Sequence, residues 1–199
     1  MKFVLASQNP KKLLELRAIL SAEGVEIISR EEAGVTVDPE ETGETFEENA
    51  VIKARAVMEA SGLPALADDS GLVVDALGGA PGVRSARYTG DHNDSDEARY
   101  LLLLENMRDV KQRSAKFVSY AAAVFPNGDV ITACGECRGS IAHAPRGSGG
   151  FGYDPVFMMP DGRMMSELSP DEKNAVSHRA AALTALKKKL TEYMNDADK

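Results

Sequence analysis

The chain has 199 residues, 43% of them hydrophobic and 27% charged, which bounds it to an ordinary folded protein and excludes a disordered or low-complexity chain. Lys and Arg total 23 against 31 Asp and Glu, a net charge of −8 that argues against nucleic acid or an anionic membrane surface as partner. A small phosphorylated ligand stays open, given local cations or a metal ion held by some of the surplus carboxylates.

The opening "MKFVLASQNPKK" has an apolar stretch too short for a leader peptide, and no later segment is long enough to span a bilayer, so a cytoplasmic location is expected. "KFVLAS" reads as a strand buried on both faces. A helix follows in "NPKKLLELRAILSAEG", with Asn9 as cap, Pro10 at its first position and Gly24 as its stop. "VEIIS" then completes a β-α-β opening, which favours an α/β fold. Beyond the acidic "DPEETGETFEENA", Thr45 and Glu48 form a capping box. The helix they start carries a buried stripe of Phe46, Ala50, Ala54 and Met58, with Asn49 and Lys53 on its flank.

"ALADDSGLVVD" reads as strand, break, strand, the break falling at Asp68, Asp69, Ser70 and Gly71. A glycine-rich loop follows, and then a helix in "DSDEARYLLLLENM" capped by Asp94 with Glu97. "KFVSYAAAVFPNGDVITACGECRGSI" is a β-hairpin turning at Asn127-Gly128. Cys134 and Cys137 lie on its second arm, without two further ligands in metal spacing, and read as structural. "HAPRGSGGFGYDPVF" is a long Gly/Pro loop with an aromatic pair, and Ser169, Pro170 and Glu172 open the closing helical region.

Four stretches carry chemistry. "SQNPKK" joins a strand end to a helix start, where free N–H groups, Ser7, Asn9, Lys11 and Lys12 favour an anion, although well-solvated lysines on a capped helix fit equally. One or two glutamates of the acidic run could join Asp68 or Asp69 around a hard cation; the alternative is that the two aspartates merely cap a turn. In "GSGGFGYDP", Phe151 or Tyr153 could stack on a base and Asp154 read its edge, or the segment is a plain loop. In "EKNAVSHR", one straight helix would send Lys173, His178 and Arg179 in different directions. A break at Ser177 places His178 and Arg179 in the first turn of a new helix, where anions bind.

Taken in order, "SQNPKK", "ETFEENAVIKA", "ADDSGL", "LGGAPGVRSARY", "GGFGYDPVF" and "ELSPDEKNAVSHRAAAL" resemble the successive motifs of the inosine/xanthosine triphosphate pyrophosphatase family. The resemblance covers the chain from first strand to last helix. It implies an α/β fold with a long twisted mixed sheet flanked by helices, as one nucleoside triphosphate pyrophosphatase domain over residues 1–199, with two lobes around a central cleft. It implies Mg²⁺ and a homodimer; "FVSYAAAVF" is a candidate dimer surface, and core packing explains that strand equally.

By position, the resemblance makes Asp69 the general base and a metal contact, with Glu40 as the other metal carboxylate. It gives Ser7, Gln8, Asn9, Lys11 and Lys12 to the triphosphate, helped by Lys53, and gives Ser70 to the substrate. Phe151, Gly152, Tyr153 and Asp154 would hold the base, with Phe151 stacking, and Lys173, His178 and Arg179 would complete the base and phosphate contacts. The expected reaction is hydrolysis of ITP, dITP or XTP to the monophosphate and pyrophosphate. The competing readings are a Maf-type pyrimidine triphosphate pyrophosphatase and a non-catalytic nucleotide-binding regulator.

Overall fold

The computed structural model describes residues 1–7, 10–20, 25–91 and 93–197. The side chains of Pro10, Lys11, Glu15 and Ala197 are not described. Gln8, the Asn9 cap and the Gly24 stop therefore lie outside the described residues.

Among the described residues the strands are β1 (Lys2–Leu5), β2 (Glu26–Ser29), β3 (Ala65–Val74), β4 (Ser114–Val124), β5 (Val130–Ile141) and β6 (Phe157–Met158). The helices are α1 (Pro10–Leu20), α2 (Phe46–Ser61), α3 (Asp96–Asn106), α4 (Pro170–Val176) and α5 (His178–Ala197). The strands form a mixed sheet in the order β2-β1-β3-β4-β5-β6, parallel from β2 to β3 and antiparallel between β5 and β6. This is the α/β fold that the β-α-β opening predicts.

The chain divides into two compact units. The first comprises Met1–Asp69, Ser119–Gly135 and Arg179–Lys199, and the second comprises Ser70–Val118 and Glu136–His178. In the first unit the central strands β1, β3 and β4 are buried on both faces. Phe3, Leu5, Leu66, Ala121 and Ala123 pack with Leu16 and Leu20 of α1 and Leu183 and Leu186 of α5. Val4, Ala65, Ala67 and Val124 pack with Ala54 and Val57 of α2. The strand "FVSYAAAVF" is thus consumed by core packing. The second unit has its own core, in which Leu72, Val74, Leu103, Phe117, Tyr153 and Phe157 meet.

Local signals account for much of this. The Thr45–Glu48 capping box starts α2, and Gly62, at φ 68, ends it. The stripe of α2 is Phe46, Ala50, Ala54 and Val57; Val57 takes the last buried place and Met58 is only partly covered, because a 3.6-residue period drifts off a strict i, i+4 row. The cap of α3 is Ser95, whose Oγ accepts from the Ala98 N–H at 3.1 Å, rather than Asp94. The hairpin forms with Gly128 at φ 95 and the Gly128 N–H on the Phe125 carbonyl at 3.0 Å. Among the described residues no non-glycine has positive φ, Asn127 included, so the turn is the glycine-ended loop Pro126–Gly128, not a two-residue Asn-Gly turn. Ser177 takes extended backbone at φ −71, ψ 147, separating α4 from α5 as the break predicts.

The main correction concerns residues 65–74. β3 runs through Asp68, Asp69, Ser70 and Gly71 without a break. Local sequence reads these residues as a turn, but the partners of the carboxylates come from remote elements and keep the backbone extended.

Candidate active site

Successive strand residues point to opposite faces of a sheet. Leu66 faces α1 and α5, so Asp68 does too; Ala67 faces α2, so Asp69 follows it. The adjacent aspartates therefore meet different cations. Asp68 Oδ2 accepts from Lys12 Nζ at 2.9 Å and from Arg179 Nε at 3.1 Å. Asp69 Oδ1 accepts from Lys53 Nζ at 2.8 Å, and Glu41 lies 3.1 Å from the same ammonium. All these residues belong to the first unit.

The two carboxyls are driven apart electrostatically. Burial opposes the ionisation of Asp68, but Lys12 and Arg179 outweigh it and hold the carboxyl well below the usual carboxylate range. Burial also dominates at Asp69, and there it prevails over Lys53, so the pKa is raised. Lys53 is held charged by Asp69 and Glu41 against the burial that disfavours it. One aspartate is thus a locked anion, and its neighbour is a carboxylate made more basic. Neighbouring groups pushed apart in this way mark a candidate site of proton transfer.

Among the described residues, no three His, Cys, Asp or Glu side chains make a metal site by themselves. The donor set nevertheless fits a hard cation. Asp69 Oδ2 is buried with no hydrogen-bond partner among the described residues, and an acidic segment lies alongside. Mg²⁺ commonly takes one or two carboxylates and completes its shell with water and substrate phosphate. Glu40 is exposed, and the carboxylate the structure sets against Lys53 is that of its neighbour, Glu41.

The second unit holds the aromatic group. Phe151 is 54% exposed, and Lys173 Nζ sits 4.3 Å from its ring centroid. Asp154 is buried and organises both, accepting from the Phe151 N–H at 2.8 Å and pairing with Lys173 at 2.5 Å. Gly150, at φ +77, leaves room for this, since a Cβ there would fall 2.1 Å from Asp154 Oδ2. The Gly152 N–H donates to Asp96 Oδ2 at 2.7 Å. Tyr153 belongs to the core; its hydroxyl donates to the Ser85 carbonyl at 2.8 Å, and burial pushes its phenol up. Of the aromatic pair, Phe151 is therefore the exposed ring. His178 stacks on Phe117, with centroids 4.9 Å apart and planes 15° apart.

The structure thus brings Lys12, Lys53, Asp69 and Arg179 together in one unit, and Phe151, Gly152, Asp154 and Lys173 in the other. Ser7 follows β1 half-buried, and Ser70 sits partly covered within β3. Gln8, Asn9 and the Lys11 side chain lie outside the described residues. Glu41 and Asp96 join the groups without having been singled out as site residues from sequence. The crowded acidic run hid Glu41, and an ordinary helix-start pattern hid Asp96. Cys134 is exposed and Cys137 buried along β5, and both are free thiols.

Comparison with known proteins places these motifs in a family. The chain matches the Ham1 family over residues 3–189. It is 47% identical over 197 residues to a dITP/XTP pyrophosphatase of Symbiobacterium thermophilum, covering 98% of each chain. It superposes on the structure of a HAM1 protein from Coxiella burnetii with a TM-score of 0.91 at 47% identity, covering 96% of this chain and 99% of that one. The Staphylococcus aureus Ham1 protein gives a TM-score of 0.90 at 38% identity, covering 97% of this chain and 100% of that one. With the fold, the motif order and the length of the match in agreement, the chain belongs to the Ham1 family.

Proposed function

We propose that this protein is a nucleoside triphosphate pyrophosphatase that hydrolyses ITP, dITP and XTP between the α- and β-phosphates, releasing the monophosphate and pyrophosphate. The observation that carries the reading is the split of Asp68 and Asp69 onto opposite sheet faces, one locked by Lys12 and Arg179 and the other held by Lys53 through Oδ1 with its buried Oδ2 left open. Relatives named for dITP and XTP support the substrate class.

Asp69 takes the proton of the attacking water. Its Oδ1 is anchored by Lys53, which leaves Oδ2, with two lone-pair sites, to face both that water and a cation. Lys12, Lys53 and Arg179 neutralise the triphosphate, and Asp68 holds two of these cations in place before the substrate arrives, so little reorganisation is needed. Asp69 and Glu40, with Glu41 beside them, are the carboxylates that would hold Mg²⁺. Bound there, the cation would offset charge on the phosphoryl oxygens.

The purine goes to the exposed face of Phe151. Lys173 above the ring offers a donor, which suits the 6-oxo group of hypoxanthine and xanthine and mismatches adenine's 6-amino group. His178, Arg179 and backbone N–H groups are further candidate donors. The same reading carries a single domain over residues 1–199, a homodimer and a cytoplasmic location, supported by the family resemblance. No described helix is long and apolar enough to cross a membrane, and the net charge of −8 disfavours nucleic acid as a partner.

The test is incubation with ITP, dITP, XTP, dTTP, UTP, ATP and GTP, with and without Mg²⁺, followed by product identification. Inosine monophosphate plus pyrophosphate from ITP is expected. Orthophosphate as the only phosphate product, or turnover of dTTP or UTP alone, would contradict the reading.

A further inference from the structure

Asn49 lies near the start of α2, one turn before Lys53, and is fully buried at 0% exposure. Its amide has two ends, which the neighbouring chemistry tells apart. The Gly43 N–H donates to Oδ1 at 2.8 Å, so the carbonyl end faces the acidic segment preceding the helix. The Nδ2 end is then buried without an acceptor among the described residues. A helix that needed only an apolar residue here would not bury an amide with idle donors. The Gly43 contact is what the amide serves.

Gly43 shows the same fit from the other side. It does not occupy the left-handed region, and space is what requires a glycine: a Cβ would lie 2.7 Å from Asn49 Oδ1 and 2.7 Å from Glu48 Cβ. The capping box fixes the Glu44 and Thr45 N–H groups on Glu48 Oε2, at 2.7 and 3.0 Å. The Asn49 bond reaches one residue further back, toward Glu41. Glu41 in turn lies 3.1 Å from Lys53 Nζ, and Lys53 lies 2.8 Å from Asp69.

We infer that Asn49 is a positioning residue: by clamping Gly43 it sets the segment from Glu40 to Gly43 so that its carboxylates are presented beside Lys53 and Asp69. Asn49 acts through the segment and not on the substrate. The inference rests on the proposed hydrolysis for its kinetic consequence, but its structural consequence stands apart from activity.

The test compares Asn49→Ala, Asn49→Asp and Gly43→Ala with the unaltered protein. Asparagine and aspartate can both accept from Gly43, whereas alanine cannot. After circular dichroism confirms folding, Asn49→Ala is expected to lose about 10- to 100-fold in kcat for ITP, the range typical of groups that orient a reacting centre, with a much smaller change in KM. The Mg²⁺ concentration for half-maximal rate should rise, and Mn²⁺ binding to the nucleotide-free protein, read by electron paramagnetic resonance, should weaken. Gly43→Ala should do the same, and Asn49→Asp should recover most of the loss. Hydrogen exchange at residues 40–44 should quicken in Asn49→Ala alone of the two position-49 variants. Unchanged kcat, Mg²⁺ dependence and exchange in Asn49→Ala would overturn the inference, as would Asn49→Asp behaving like Asn49→Ala. If the unaltered protein fails to hydrolyse ITP, the functional reading falls, and exchange at 40–44 still decides the role of Asn49. Where Asn49→Ala fails to fold, Asn49→Asp decides it: near-normal kcat and exchange at residues 40–44 are expected, and loss of both would overturn the inference.

Discussion

The ionic group of the first unit and the aromatic group of the second are built in opposite ways. The ionic group sits on a strand and helices with its carboxylates buried: Asp68 between Lys12 and Arg179, Asp69 against Lys53. The aromatic group sits on a glycine loop with its ring 54% exposed, and its one buried carboxylate, Asp154, is spent on holding the loop. Fixed charge on regular elements suits the stabilisation of a transition state, where preorganisation carries the effect. A ring presented by a loop suits recognition of a flat base, where contact area and donor placement carry it. On the proposed function, the contrast gives chemistry to one group and selection to the other.

The largest effect should come from Asp69→Asn. The variant keeps the shape and loses the base, so turnover should fall about 10²- to 10⁴-fold while ITP binding persists. Near-normal turnover would place the base elsewhere.

Asp68→Asn should act first on stability. It leaves Lys12 and Arg179 around a neutral buried group, and breaking a buried ion pair costs about 3–5 kcal/mol. At this chain length that corresponds to a Tm lower by roughly 10 °C in scanning calorimetry. The pH dependence has a defined sign. The folded-state pKa of Asp68 is lowered, so its contribution is complete above the ordinary carboxylate pKa of about 3.9 and fades as pH falls through the folded value. The unaltered protein should therefore lose stability more steeply below about pH 4 than Asp68→Asn. Equal slopes would mean that the Lys12 and Arg179 contacts do not hold in solution.

Phe151→Ala should weaken ITP binding by about 1–3 kcal/mol, the scale of one stacked base, with the bound-state rate nearly kept. Tyr153→Phe should do least. It removes the hydroxyl on the Ser85 carbonyl and costs about 1 kcal/mol of stability with no change in substrate preference, since that ring faces the core. A large shift in base selectivity from Tyr153→Phe would reverse the roles of the two aromatics.

Local chemistry made much of this legible in the sequence. The β-α-β opening, the Thr45–Glu48 box, the hairpin and the break at Ser177 all rest on residues within a few positions of one another, and all form. The continuous β3 was not legible, because the cations that stabilise its carboxylates come from positions 12, 53 and 179. Ser95 and Asp94 are both good caps, and only the helix start decides between them. Phe151 and Tyr153 look alike in sequence, and burial alone tells them apart. Asn49 read as a flank residue because its partner, Gly43, offers only a backbone N–H.

The division of labour is tested most directly by measuring, for Asp69→Asn and Phe151→Ala side by side, the ITP dissociation constant and the single-turnover rate at saturating ITP. The account predicts that Asp69→Asn keeps affinity and loses the rate, and that Phe151→Ala loses affinity and keeps the rate. Loss of the same quantity in both variants would contradict it.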